Sequence, residues 1–225
     1  MKRTTRSKLR ISLAAFPAGA LLLWSTSLGT GRVSAASWLD WEGPTYLNIE
    51  AGASILQDTK FKDLTGATPG KATASFDPGV RFDVALGYRF TERWSAEIES
   101  GVNWNNMDTL GGVEADLALY QIPVFLNGKY EFKTSSKFVP YLGLGLGPLI
   151  HKLDQDVGIQ TESAVAVTFG AQAMAGVRYQ LDERTSLGLG YKFMASTEAE
   201  FKDNLQTKAE PFFTHSLFLQ LNWRF

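Results

Sequence analysis

The stretch Val80-Arg81-Phe82-Asp83-Val84-Ala85-Leu86-Gly87-Tyr88-Arg89-Phe90 puts Val80, Phe82, Val84, Leu86, Tyr88 and Phe90 on one parity and Arg81, Asp83, Ala85, Gly87 and Arg89 on the other. Successive side chains of a β-strand point to opposite faces, so this two-residue period is that of a strand with one apolar face. The pattern recurs on both sides. Leu47, Ile49, Ala51 and Ala53 alternate with Asn48, Glu50 and Gly52. Trp94, Ala96, Ile98, Val102 and Trp104 alternate with Ser95, Glu97, Glu99, Gly101 and Asn103. Tyr120, Ile122, Val124, Leu126 and Tyr130 alternate with Gln121, Asn127 and Lys129. Four more runs follow: Leu142 to Leu146 between glycines, Val165 to Tyr179 around Gln172 and Arg178, Leu187 to Phe193 around Gly188, Gly190 and Lys192, and Leu217 to Phe225 around Gln220, Asn222 and Arg224.

The connections alternate in length. Short turns are expected at Thr91 to Arg93, Lys133 to Lys137 and Asp182 to Arg184. Long loops are expected at about Leu56 to Pro78, Asn105 to Ala115, Leu149 to Ser163 and Ala195 to Pro211, which are rich in Gly, Asp, Thr and Lys. Outer-membrane barrels join their strands by short periplasmic turns and longer extracellular loops. The expectation is therefore an all-β fold: an eight-stranded antiparallel up-and-down transmembrane β-barrel over residues 45–225, with periplasmic termini and four extracellular loops.

A soluble sandwich strand also has one apolar face, so the period alone does not separate the two architectures. The chemistry of the other face does. It alternates Gly, Ser, Asn and Gln with isolated charges of both signs, which suits a narrow closed interior that side chains fill. Gly52, Gly87, Gly101, Gly143, Gly145, Gly188 and Gly190 would leave room there for larger groups. Among those groups, Glu50, Glu97 and Glu99 are expected to balance Arg81, Arg89, Lys129, Arg178 and Lys192 as a polar network that plugs the lumen. An unpaired charge in such a place costs several kcal/mol, roughly. The apolar parity carries Tyr88, Phe90, Trp94, Tyr130, Phe132, Tyr179, Trp223 and Phe225 at the short-turn side, as an aromatic girdle would.

The closing residues Leu217, Leu219, Leu221, Trp223 and Phe225 resemble the C-terminal signal of bacterial outer-membrane barrels. With Tyr120-Gln121-Ile122-Pro123-Val124 and the strand pattern, the chain from Thr45 onward is similar to the small eight-stranded barrels that include OmpX, the opacity proteins and the transmembrane domain of OmpA. The resemblance implies recognition of the last strand by the barrel-assembly machinery, with Trp223 and Phe225 as the assembly signal. It also implies contact with outer-membrane lipid and lipopolysaccharide, and an extracellular ligand for the loops. No peptidoglycan-binding domain is expected after the barrel.

The N-terminus reads as a signal peptide over residues 1–36, with Lys2, Arg3, Arg6, Lys8 and Arg10 ahead of an apolar stretch from Ile11 to Trp24 and removal after Ala35 or Ala36. An uncleaved anchor is the competing reading. A short segment with Trp38 and Trp41, residues 37–44, would then lead into the barrel. With the cut after Ala36 the leader takes six Lys and Arg, leaving 22 − 6 = 16 bases against 23 acids, or −7, a balance that does not invite nucleic acid. There is no cysteine, so stability must come from pairing and burial rather than disulfides.

Candidate chemistry is sparse, and neither catalysis, a cofactor nor a metal is expected. His215 and Ser216 suggest the residue pair of lipid A deacylases, but strand neighbours point to opposite faces. His151, with Lys152, Asp154 and Asp156, reads as part of a solvated loop, since no second His or Cys completes a metal set. Asp154, Asp156 and Glu162 lack the spacing and turn glycine of a calcium loop. Gly143-Leu144-Gly145-Leu146-Gly147 has no helix after it and is no phosphate loop. The expected role is structural or surface-interacting. A narrow porin or small-molecule conduit is the alternative, and a lipid A-modifying enzyme a remoter one.

Overall fold

The computed structural model describes residues 45–63, 71–156, 161–201 and 207–225. The leader at 1–36, the segment at 37–44 and parts of three expected loops (64–70, 157–160 and 202–206) lie outside them. The strands are β1 (Thr45–Leu56), β2 (Thr59–Asp63), β3 (Lys71–Phe76), β4 (Gly79–Arg89), β5 (Trp94–Leu110), β6 (Val113–Glu131), β7 (Phe138–Asp156), β8 (Thr161–Gln180), β9 (Thr185–Ser196), β10 (Ala199–Glu200), β11 (Thr207–Ala209) and β12 (Phe213–Arg224). Eight of them pair antiparallel in the order β1, β4, β5, β6, β7, β8, β9, β12 and back to β1, so the ring is closed. Closure leaves no edge, and in hydrocarbon every backbone donor and acceptor must find its partner inside the protein.

The alternation seen in the sequence sorts the wall. Leu144, Leu219 and Ile98 are 69%, 68% and 65% exposed on the outside, in a band that continues with Leu86, Leu126, Val167 and Leu217 around the ring. So broad an apolar surface belongs against lipid. At the short-turn end it finishes in packed aromatics: Trp94 with Tyr130 at 4.9 Å, Tyr130 with Phe132 at 5.0 Å, Phe138 with Tyr179 at 5.0 Å and Trp223 with Phe225 at 5.4 Å. Inside, glycines make way for rings. A Cβ on Gly87 would lie 2.2 Å from Cζ of Tyr46, and one on Gly190 2.4 Å from Cζ of Phe218.

The three short turns fall where expected, tied by local side chains. Thr91 Oγ1 accepts from the Trp94 amide at 3.0 Å, and Asp182 Oδ1 accepts from the Arg184 and Thr185 amides, both at 2.8 Å. The far side differs from the sequence reading. Most of the described residues in the four expected long loops are paired strand instead: β5 runs on to Leu110, β6 begins at Val113, β7 reaches Asp156 and β8 starts at Thr161. Gly111 and Gly112, at φ +63° and +83°, close β5 and β6 in a two-residue turn of the kind that needs left-handed backbone. Similarly, β2, β3, β10 and β11 prolong β1, β4, β9 and β12.

The physical reason is an inversion of faces. In this distal section the inward residues are mostly apolar: Phe61, Ala74, Met107, Leu119, Ala166, Ala199, Phe201, Ala209 and Phe212 belong to one buried cluster. The outward ones include Lys60, Lys62, Lys71 and Asp108, all exposed. A wall that faces water must be polar outside, so its composition imitates a loop. Four adjacent staves also skip a residue in their alternation at Gln57–Asp58, Asp77–Pro78, Thr197–Glu198 and Glu210–Pro211, each separating a membrane segment from its distal prolongation.

Candidate functional site

The inward side chains stack in tiers along the bore. In the middle tier Lys192, from β9, reaches across to β5, diametrically opposite in the ring. Its ammonium donates to Glu99 Oε2 at 2.8 Å and also binds Glu50. Arg81 is paired with Asp83 and lies 3.9 Å from Glu50 and 3.8 Å from Glu99. Neutral groups complete the carboxylates: Asn48 donates to Glu50 at 2.7 Å, Asn127 to Glu99 at 2.8 Å, and Gln172 to Glu99 at 3.2 Å and to Asn127 at 2.8 Å. Phe218 underlies both cations, its ring 5.1 Å from the Lys192 ammonium and 5.4 Å from the Arg81 guanidinium. Lys192 and Glu99 have no solvent exposure.

Toward the short turns, Lys129 holds Glu97 at 2.7 Å over the Tyr141 ring. Below that, Arg178 and Arg89 share Glu131, the latter at 3.2 Å. Five acids, Glu50, Asp83, Glu97, Glu99 and Glu131, are thus ion-paired with five bases, Arg81, Arg89, Lys129, Arg178 and Lys192, among the described residues, while Arg224, half-buried on the same parity at the short-turn end, donates to Gln180 at 3.0 Å. Breaking a buried pair by removing one partner costs about 3–5 kcal/mol, because the other charge is left uncompensated. On the distal side Thr214 of β12 donates to Gln121 of β6 at 2.8 Å, a second bond across the full diameter.

All eight residues expected in the lumen face inward, and Lys129 and Lys192 meet the expected acids Glu97, Glu50 and Glu99, but the arginines differ from the sequence reading. Arg89 and Arg178 pair with Glu131 rather than with Glu50, Glu97 or Glu99, and Asp83 supplies the closest acid to Arg81. Both missed acids had a signal: Asp83 follows Arg81, and Glu131 follows Lys129, by two residues on one strand, hence on the same face.

One of the two histidines also moves. His151 is not in a solvated loop. It is fully buried on β7, with Nε2 3.0 Å from Thr168 Oγ1 and its ring 4.7 Å from that of Phe212. His215 faces outward on β12, between Gln57 and Tyr191, each at 2.7 Å, while Ser216 turns inward and is buried. The two therefore stand on opposite sides of the wall.

A closed antiparallel ring, greasy outside and ionically paired inside, defines a transmembrane β-barrel of the bacterial outer membrane. The chain belongs to the outer membrane protein beta-barrel domain family, which matches residues 22–225. No curated protein matches the sequence. Among solved structures, the chain is similar to the Neisserial surface protein NspA, at 19% identity over 81% of this chain and 98% of that one, with a TM-score of 0.55. It is also similar to OprG from Pseudomonas aeruginosa, at 17% identity over 81% and 97%, with a TM-score of 0.57. The likeness to AlkL is at 15% identity over 81% and 90%, with a TM-score of 0.55. At these identities the likeness is one of fold.

Proposed function

We propose that this barrel is of the structural or surface-interaction type, with a bore closed to solutes and its activity exercised where the distal end meets the medium. The observation that carries this is the bond from Lys192 to Glu99 across the whole diameter, between two side chains with no solvent exposure. A hydrated ion passing this level would have to strip charges that are costly to leave unpaired. The reading includes an orientation, with termini and short turns periplasmic and the distal section extracellular. It also includes an assembly role for Trp223 and Phe225 through the barrel-assembly machinery, and contact with lipopolysaccharide in the outer leaflet. No catalytic role is assigned to either histidine.

Planar-bilayer recordings of the purified protein test the closed bore: silence is expected, and steady single-channel openings would overturn it. Maleimide labelling of Lys62→Cys in intact cells tests the orientation, since only an extracellular distal end is reached. Phe225→Glu should lower the amount of heat-modifiable, assembled barrel, and unchanged migration on gels would remove the assembly role.

One observation favours a second reading, a conduit for small apolar molecules. The distal bore is lined by the apolar cluster of Phe61, Phe201 and Phe212, beside the four staves that break. Uptake of an apolar solute by cells producing the protein, with bilayers still silent to ions, would select that reading.

A further inference from the structure

The lipid-facing wall is not uniformly filled. Near the short-turn end, Ala96 of β5, Gly128 of β6 and Leu144 of β7 stand side by side in the ladder. Gly128 points outward, and a Cβ placed on it would meet nothing within 4 Å. The result is a notch of about 320 Å³ floored by the backbone at Asn127, Gly128 and Gly145 and walled by Leu126, Leu144 and Leu146.

Immediately beyond the notch, toward the turns, Trp94 and Tyr130 pack edge to face at 4.9 Å in the aromatic girdle, at the depth where headgroups begin. Arg93 lies next to them in the turn, its guanidinium 3.4 Å from the Tyr130 hydroxyl. The neighbouring acid Glu92 is taken by Lys133, and among the described residues no carboxylate pairs with Arg93.

An apolar notch that ends in a phenol and an exposed guanidinium has the layout of one phospholipid: chain above, phosphate below. We infer that this face holds a phospholipid of the leaflet at the short-turn end, with one acyl chain seated over Gly128 and its phosphate on Arg93 and Tyr130. Guanidinium binds phosphate oxygens through paired donors, which favours a headgroup of net negative charge. The inference needs the barrel to stand in a membrane and is indifferent to whether the bore conducts.

The test is native mass spectrometry of the full mature protein refolded in mild detergent, titrated with phosphatidylglycerol or phosphatidylethanolamine. Wild type should retain one phosphatidylglycerol and bind it several-fold more tightly than phosphatidylethanolamine. Gly128→Leu, which fills the notch, should weaken both lipids about tenfold. Arg93→Gln should abolish the preference between headgroups while retaining the chain. Heat-modifiable migration shows that each variant is folded. Equal retention by all three proteins would overturn the inference. So would dimers of wild type that Gly128→Leu dissolves, since the notch would then be occupied by a second copy.

Discussion

The membrane section and the distal section share the same strands and obey opposite rules. Between the girdle and the breaks, β4 turns Phe82, Val84 and Leu86 outward and Arg81 and Asp83 inward. Past its break, β3 turns Ala74 inward, and its paired neighbour β2 turns Lys60 and Lys62 outward and Phe61 inward. The backbone has not changed, but the medium outside has. Against lipid the wall must be apolar, so polar groups are forced into the bore and must neutralise one another there. Against water the hydrophobic effect regains its usual direction, and the interior collapses on Phe61, whose ring lies 6.2 Å from that of Phe201 and 6.1 Å from that of Phe212. The parity skips mark where the two regimes meet.

This contrast can be broken from either side. The largest effect is expected from Lys192→Met, which leaves Glu50 and Glu99 with no ion pair closer than Arg81, at 3.9 and 3.8 Å. Urea unfolding in micelles should show a loss of about 3–5 kcal/mol, and an unmoved midpoint would mean that the buried charges do not hold the bore together. Phe61→Ala should cost about 3 kcal/mol, as for a buried Phe truncation, but locally. Hydrogen exchange should rise in β2, β3 and β11 while the midpoint of the membrane section holds. Equal loosening throughout would show that the two sections are one cooperative unit. Thr214→Val removes the bond to Gln121 and should cost about 1–2 kcal/mol, the penalty of an unsatisfied buried group, read from the same urea curves.

The smallest effect concerns the short turns. The Arg184 and Thr185 amides bonded to Asp182 hold its carboxyl below the ordinary carboxylate range. A depressed folded value contributes stability above the unfolded value and loses it as pH falls through the folded one. Asp182→Asn should therefore flatten the acid end of the midpoint-against-pH curve slightly, below about pH 4, and an identical acid limb would remove this contribution.

The membrane section was legible because one residue type per face is enough to show a period of two. Val80 to Phe90 and Leu217 to Phe225 carry it without interruption, and the glycines between leucines in β7 betray a crowded interior. The lumen's members were legible for the same reason, but their partners were not. Whether Arg178 meets Glu97 or Glu131 depends on shear and stagger around the ring, which no single strand encodes. The distal strands were hidden by their own chemistry. Asp108, Thr109, Gly111 and Gly112 read as a loop, because a water-facing outer wall with Met107 and Leu119 inside carries the same residues as a loop. His151 was misplaced with them: its neighbours Lys152 and Asp154 look solvated, while the imidazole itself turns inward onto Phe212.

The central claim is that one face of each membrane strand touches lipid and the other is sealed from water. Single cysteines along β8, at Ala171, Gln172, Ala173 and Met174 in turn, test it most directly when the reconstituted protein is exposed to a water-soluble and to a membrane-permeant maleimide. The account predicts that Ala171→Cys and Ala173→Cys react only with the permeant reagent, and Gln172→Cys and Met174→Cys with neither. Labelling of the latter two by the water-soluble reagent would contradict it, because the bore would then be open.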